Sequence, residues 1–247
     1  MMNKIPYPAA GGLLGMLILF TALPLLKAEP DSDPTRRERM NMVKNQIESR
    51  GIQDPLVLKA MRNARRHLFI PAPRDRAAYE DSPQPIGHGQ TISQPYIVAL
   101  MTELIRPRED FKVLEIGAGS GYQAAVLAEI VDHVYTVEIV EPLAKWAEER
   151  LQLAGYENVT VKHADGYHGW EEHAPFDAIV VTAAAPHIPP PLIAQLKDGG
   201  RMVIPVGSRF RTQQLVLVEK VDGRVTTRNM LPVRFVPFTR AGGEDNP

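Results

Sequence analysis

One stretch limits the choice of fold more than any other: Val113-Leu-Glu-Ile-Gly-Ala-Gly-Ser-Gly-Tyr122, an apolar run that breaks into three alternating glycines and resumes with helical spacing. This is the pattern of a strand, a tight turn and a helix start. Glycine tolerates the left-handed backbone of such a turn and lets a ligand approach the main chain. The helix start that follows offers unpaired N–H groups. The rest of the chain keeps the same rhythm. It predicts strands over 112–116, 133–138, 159–163, 177–182 and 200–206, then a sixth over 215–220 and an extended segment over 225–232. Helices are predicted over 122–130, 141–154 and 191–196. Unbroken apolar strands alternating with helices imply a mostly parallel sheet covered on both faces. The expected fold class is α/β, doubly wound and Rossmann-like, with a small N-terminal helical extension. That extension comprises a helix over 36–50 ended by Gly51, a short helix opened by Asp54 and Pro55, and an extended Pro-rich stretch over 69–73.

The spacing of the glycines bears on the ligand. A dinucleotide turn reads G-x-G-x-x-G and leaves room for a pyrophosphate. Here Gly117, Gly119 and Gly121 fall as G-x-G-x-G, with Ser120 among them, and Glu115 stands two residues ahead. A carboxylate there would repel a pyrophosphate and suits a ligand carrying an ammonium and a sulfonium, which points to S-adenosylmethionine rather than NAD. Glu138 ends the second strand, where an acid can accept hydrogen bonds from both ribose hydroxyls. Asp165-Gly166 follows the third strand, where Asp165 can accept from an adenine amino group. Any one of these acids alone would read as a solvated loop residue. Three at successive strand ends make a nucleoside site.

Composition excludes other classes. With 28 basic and 29 acidic residues the net charge is -1, so no overall basic field argues for nucleic acid. There is no cysteine, hence no disulfide, thiolate metal site or cysteine nucleophile. His88, His163, His168, His173 and His187 form no metal-ligand spacing, so no metal is expected.

Residues 9–26 are uncharged and mostly apolar, about long enough to cross a bilayer as a helix. A cleaved signal peptide, with Lys4 ahead and Ala28 as cleavage residue, is one reading, although Leu26 fits the cleavage pattern poorly. An uncleaved anchor is the other. Lys27, Arg36, Arg37 and Arg39 follow the segment, so the positive-inside rule would keep the rest of the chain in the cytoplasm. An over-called start is the third, with Met40 or Met42 as the true one. The expected organisation is an apolar segment and linker over 1–35, a catalytic domain over 36–240 and a tail over 241–247. Within the domain, 36–110 forms a helical substrate-side part and 111–240 the cofactor-binding core.

The segment ahead of the glycine turn, Asp81-Ser-Pro-Gln-Pro-Ile-Gly-His-Gly-Gln-Thr-Ile-Ser-Gln-Pro-Tyr96, resembles a signature of the protein-L-isoaspartate O-methyltransferases, a family of class I methyltransferases. Matches follow in order at Asp165-Gly-Tyr-His-Gly-Trp170, Pro175-Phe-Asp-Ala-Ile-Val-Val-Thr-Ala-Ala184, Gly199-Gly-Arg-Met-Val-Ile-Pro-Val-Gly207 and Val233-Arg-Phe-Val-Pro-Phe-Thr239. The resemblance implies methyl transfer from S-adenosylmethionine to the α-carboxylate of L-isoaspartyl residues in damaged proteins, with S-adenosylhomocysteine as the other product. The ester then closes to a succinimide that reopens partly as aspartate. It also implies a monomer; a cytoplasmic setting is expected because S-adenosylmethionine is a cytosolic metabolite. By the same resemblance Ser93 is the active-site serine, and Gln90, Thr91, Ile92, Ser93, Ser120, Glu138, Asp165, Gly166 and Thr239 contact the cofactor. Family members usually lack an apolar N-terminal segment. Another class I methyltransferase, acting on a different carboxylate or a small molecule, and a non-catalytic module that kept the fold are the alternatives.

A carboxylate acceptor is already ionised at neutral pH, so the reaction needs alignment and partial desolvation more than a base. A hydroxyl such as Ser93 can hold it. Ser93 also precedes Pro95 and an apolar run, where serine commonly caps a helix. Pro85, Ile86, Gly87 and Val236 are the expected substrate contacts, in segments 85–89, 183–187 and 233–237, where an extended peptide could pair with exposed backbone.

Overall fold

The computed structural model describes residues 1, 33–71, 77–208 and 210–242. The apolar stretch 9–26 lies outside the described residues, as do most of the linker and tail. Helix α1 (Arg36–Met42) runs on through a π-helical turn (Val43–Ile47) and a 3-10 turn (Glu48–Arg50) to Gly51, whose φ of 96° ends it. The single expected helix is thus one helical path with a widened middle. Helix α2 (Pro55–Asn63) begins as predicted, with the Asp54 carboxylate accepting from the Leu56 and Val57 N–H groups. A 3-10 turn, Arg66–Phe69, leads into the expected extended stretch, whose Ile70 is extended and whose residues 72–73 lie outside the described residues.

Next comes a hairpin that the hydrophobic pattern does not announce. Strands β1 (Gln84–Gly87) and β2 (Gln90–Ile92) pair antiparallel. His88 and Gly89 connect them; Gly87, the last residue of β1, His88 and Gly89 are all at positive φ (93°, 52° and 70°). Three left-handed residues in a row explain two of the three being glycine. Helix α3 (Pro95–Leu104) follows.

The core is a seven-stranded sheet. In chain order its strands are β3 (Lys112–Ile116), β4 (His133–Glu138), β5 (Val159–His163), β6 (Phe176–Val181), β7 (Leu196–Val206), β8 (Gln213–Val221) and β9 (Arg224–Val233). In space the order is β5-β4-β3-β6-β7-β8-β9. The first five are parallel, and β8 and β9 each join antiparallel. The expected extended tail is therefore a true edge strand. The chain winds outward from β3 to β5, then returns to place β6 against β3. In such sheets ligands bind beyond the carboxyl ends of the strands, at this reversal.

Alternation along the strands separates two apolar clusters. Val113, Val134, Ala178, Val180 and Val203 face α2, α3, α4 (Tyr122–Ala128) and α5 (Glu141–Ala154). Leu114, Ile116, Ile179, Val181 and Met202 face Trp170, Phe176 and α6 (Pro190–Gln195). Each fully buried aliphatic side chain contributes roughly 1.5–3 kcal/mol. A sheet buried on both sides is thus a rigid platform for the loops at its carboxyl edge. Among the described residues no helix is long and apolar enough to cross a membrane. Arg39 is not a flanking charge but part of the interior, 6% exposed, with Nε donating to the Arg62 carbonyl at 2.6 Å.

Candidate active site

The glycine turn follows β3. Gly117, Gly119 and Gly121 all have positive φ, at 96°, 51° and 85°. A Cβ on Gly117 would run into the Thr182 hydroxyl, so glycine here serves packing as well as ligand approach. Thr182, just past β6, pins the turn by donating toward the carbonyls of Gly117 (2.6 Å) and Ile116 (2.9 Å). Gly121 instead packs on α5, with its would-be Cβ 3.4 Å from the Ala147 carbonyl and in contact with Leu151.

A cavity opens over this turn. Gln90, Thr91, Ile92 and Ser93 from the hairpin wall one side; Glu115, Gly117, Gly119 and Ser120 form the floor. Glu138, Ile139 and Val140 close the β4 end and Gly166 the β5 end. Thr182 and Ala183 stand at the β6 end, with Val236, Pro237, Phe238 and Thr239 above. Most residues predicted for the cofactor thus come together. Gly121 and Asp165 are not among the lining residues. Asp165 works as an anchor: Oδ1 accepts from the Tyr167 N–H, and Oδ2 from Arg240 Nε (2.9 Å) and the Ala241 N–H (3.1 Å). Burial raises its pKa, but these donors outweigh that and hold the carboxyl below its ordinary value. The roof is further tied down by the Ala184 N–H to the Val236 carbonyl (2.8 Å) and the Phe238 N–H to the Ala184 carbonyl (2.9 Å).

Two acids define the electrostatics. Glu138 accepts from the Gly119 N–H (2.8 Å) and the Val140 N–H (2.9 Å), which fixes its carboxylate against the turn. Glu115 is fully buried, and desolvation pushes its pKa up to about 8 despite the hydrogen bond from Thr136. Its Oε1 has no hydrogen-bond partner. An uncompensated buried acid beside a cavity is strained without a ligand and suits a cationic one. The donor set therefore fits S-adenosylmethionine.

A second groove adjoins the cavity. Arg50, Pro83, Gln94 and Ile97 line one wall, and the segment from Leu231 to Val236 lines the other. Thr91, Ser93, Thr182 and Val236 line both spaces. Ser93 does not cap α3, whose cap residue is Gln94 and which has no side-chain cap bond. Of the expected substrate contacts, Val236 reaches the groove and Pro85, Ile86 and Gly87 do not. Ile86 is 4% exposed and packs beneath the turn near Gly119, while Pro85 and Gly87 face solvent. The hairpin presents its second strand, not its first. Thr182 and Arg50 escape a linear reading, though the rule that parallel-sheet sites sit at strand ends points to Thr182. No group of His, Asp and Glu able to hold a metal occurs among the described residues.

A glycine turn at the reversal of a doubly wound sheet, with a buried unpaired acid and a second strand-end acid around one cavity, is the architecture of a class I S-adenosylmethionine-dependent methyltransferase. The chain matches the family model for protein-L-isoaspartate(D-aspartate) O-methyltransferase over residues 37–243 and belongs to that family. It is 64% identical to protein-L-isoaspartate O-methyltransferase 2 of Polaromonas sp. over 75% of this chain and 89% of the relative. It is 56% identical to protein-L-isoaspartate O-methyltransferase 1 of Nitrosospira multiformis over 91% and 94%. That second match reaches upstream of residue 37, because residues 37–247 are only 211 of the 247. A solved protein-L-isoaspartate O-methyltransferase superposes with a TM-score of 0.74 at 30% identity, covering 83% of this chain and 66% of its own length. A Plasmodium falciparum structure described as the same activity, in complex with S-adenosyl-L-homocysteine, gives 0.71 at 26% identity, covering 82% and 99%. The chain is accordingly an enzyme that uses S-adenosylmethionine to methylate isoaspartyl residues, the first step of their repair.

Proposed function

We propose that the cavity holds the cofactor, the groove holds the damaged peptide, and methyl transfer takes place where Thr91, Ser93, Thr182 and Val236 belong to both. That shared boundary carries the assignment. When bound, S-adenosylmethionine supplies an electrophilic sulfonium methyl. Glu138, already held by two backbone donors, keeps lone pairs for ribose hydroxyls. Glu115 answers the positive charge. Ile139 and Val140 give an apolar surface for a base. On the groove side the α-carboxylate of the isoaspartyl residue is the nucleophile and has no proton to lose at neutral pH. Ser93 donates to one carboxylate oxygen, strips part of its water and aims the other. No acid–base pair is needed. Contacts through the main chain between Leu231 and Val236 suit a substrate defined by one altered linkage rather than by its sequence.

The decisive experiment offers methyl-labelled S-adenosylmethionine and an isoaspartyl peptide beside its aspartyl twin. Base-labile label on the isoaspartyl peptide alone is expected; label on neither, with cofactor bound, refutes the assignment. The family resemblance favours a monomer, and sedimentation checks this. The stretch 9–26 acts as an anchor with the domain in the cytoplasm, where S-adenosylmethionine is made; Lys27, Arg36 and Arg37 on its C-terminal side support this orientation. Protease protection of the domain in intact cells is expected, and digestion from outside would reverse it.

A further inference from the structure

We infer that the groove favours isoaspartyl sites flanked by acidic residues, through Arg50 and Arg234; this rests on the groove being the peptide site. Both arginines line it, and no Asp or Glu does. This is a local exception on a chain of net charge -1. Several arginines elsewhere are paired with acids, as are Arg62 with Glu48, Arg201 with Glu219 and Arg240 with Asp165.

Arg50 is built into place. Its guanidinium lies 3.6 Å above the Tyr96 ring centroid, and Nη1 meets Asp81 Oδ2 at 3.0 Å. A planar stack and one end-on contact fix the fork while leaving other N–H donors for a ligand. The side chain stays 42% exposed. Asp81 offsets part of its charge, but Asp81 does not line the groove. Arg234 sits on the opposite wall, exposed, with no ion pair or hydrogen bond among the described residues. A peptide lying between the walls passes a cation on each side. Its α-carboxylate is itself an anion that methylation neutralises, so the same cations hold substrate better than product.

The test uses three isoaspartyl peptides identical except for Glu, Gln or Lys at the positions flanking the altered residue. The expected order of kcat/KM is Glu, Gln, Lys, with a Glu-to-Lys ratio of about tenfold at low salt, as expected for exposed charges several ångströms apart in water. The effect falls on peptide KM, not kcat, and fades at about 1 M salt, where the Debye length is about 3 Å. In the Arg50→Gln/Arg234→Gln variant the ratio falls toward one, whereas Arg50→Lys/Arg234→Lys keeps the order. Cofactor affinity reports that each variant is folded. Should loss of Arg50 unfold the chain, Arg234→Gln alone lowers the ratio to about threefold. A flat order in the unmodified enzyme, or a ratio undiminished by the substitutions, overturns the inference. Failure to label even the Gln-flanked isoaspartyl peptide refutes instead the assignment of the groove itself.

Discussion

Replacing Glu115 with glutamine should stabilise the cofactor-free protein while weakening its hold on the cofactor. The folded carboxyl keeps its proton up to about pH 8, whereas 4.5 is the ordinary value. Between those limits the native state binds a proton that the unfolded chain has released. By linkage, stability then falls as pH rises from about 4.5 to about 8 and is flat on either side. At pH 7 the 2.5 pH units crossed above 4.5 are worth about 3 kcal/mol, at roughly 1.4 kcal/mol for each. Glutamine has no charge to lose, so it removes this cost, less whatever its amide leaves unbonded. Urea denaturation of both proteins at pH 5, 6, 7 and 8 measures it. The gap in favour of Glu115→Gln should widen by about 1 kcal/mol per pH unit toward pH 8. Titration with S-adenosylmethionine should reveal the opposite trend. Ionising Glu115 for a cationic ligand is uphill below pH 8, so its advantage over glutamine in cofactor affinity grows with pH up to there. Because the ligand's α-amino group also titrates near ~8, the quantity to follow is the ratio of the two affinities. A stability gap independent of pH would refute the reasoning, since it would mean that the buried acid stays ionised.

Other substitutions separate the parts of the site. Ser93→Ala should keep cofactor affinity within a few fold and lower turnover by about tenfold to a hundredfold, the worth of one hydrogen bond to a charged group; single-turnover methylation checks it, and an unchanged rate removes Ser93 from the chemistry. Gly117→Ala should cost at least about 1–2 kcal/mol from the left-handed backbone alone, with further loss from the collision with Thr182, and should abolish cofactor binding; a thermal melt and a binding titration report both. Arg240→Ala removes the side-chain tie of the roof segment to Asp165 and to the Tyr167 ring, over which its guanidinium lies at 3.7 Å, and leaves the Ala241 N–H bond to Asp165 in place. Cofactor dissociation measured by stopped flow should quicken several fold, and an unchanged rate would mean that the backbone ties to Ala184 and from Ala241 to Asp165 suffice.

The parallel core is readable in the sequence because its signals are local. Strands over 112–116, 133–138 and 159–163 and the helix over 141–154 fall where periodicity puts them, since apolar runs and their breaks are all that such elements require. Glu115 and Glu138 are readable because a strand end next to a glycine turn has one place to go. What escapes is set by contacts between distant segments. The β1–β2 hairpin hides behind Pro85 and a two-residue loop, His88-Gly89, whose left-handed first position holds histidine rather than the usual Asn, Asp or Gly. Asp165 has the right position for a nucleoside, yet is engaged by Arg240, 75 residues away. Ile86 belongs to the signature segment but spends its side chain under the glycine turn. Arg50 joins the groove only because the helical extension folds back against Tyr96 and Asp81.

These escapes have a common cause, and it bears on how the enzyme works. The cofactor side is built mainly from the carboxyl ends of adjacent parallel strands, where sequence order and spatial order coincide. The groove proposed for the acceptor is assembled from segments far apart in the chain: Arg50, Pro83, the stretch from Thr91 to Ile97, Thr182 and the stretch from Leu231 to Val236. Such a division lets the cofactor half stay rigid on a sheet buried on both faces while the acceptor half is framed by an edge strand and a small hairpin. Substitutions in the sheet should therefore change both substrates' constants together through stability. Those along Leu231 to Val236 should act on the peptide first. Val236 is the exception, because it lines both spaces: shortening Val236 to alanine should raise the constants for peptide and cofactor alike, and an effect confined to one of them would mean that the two spaces do not meet there.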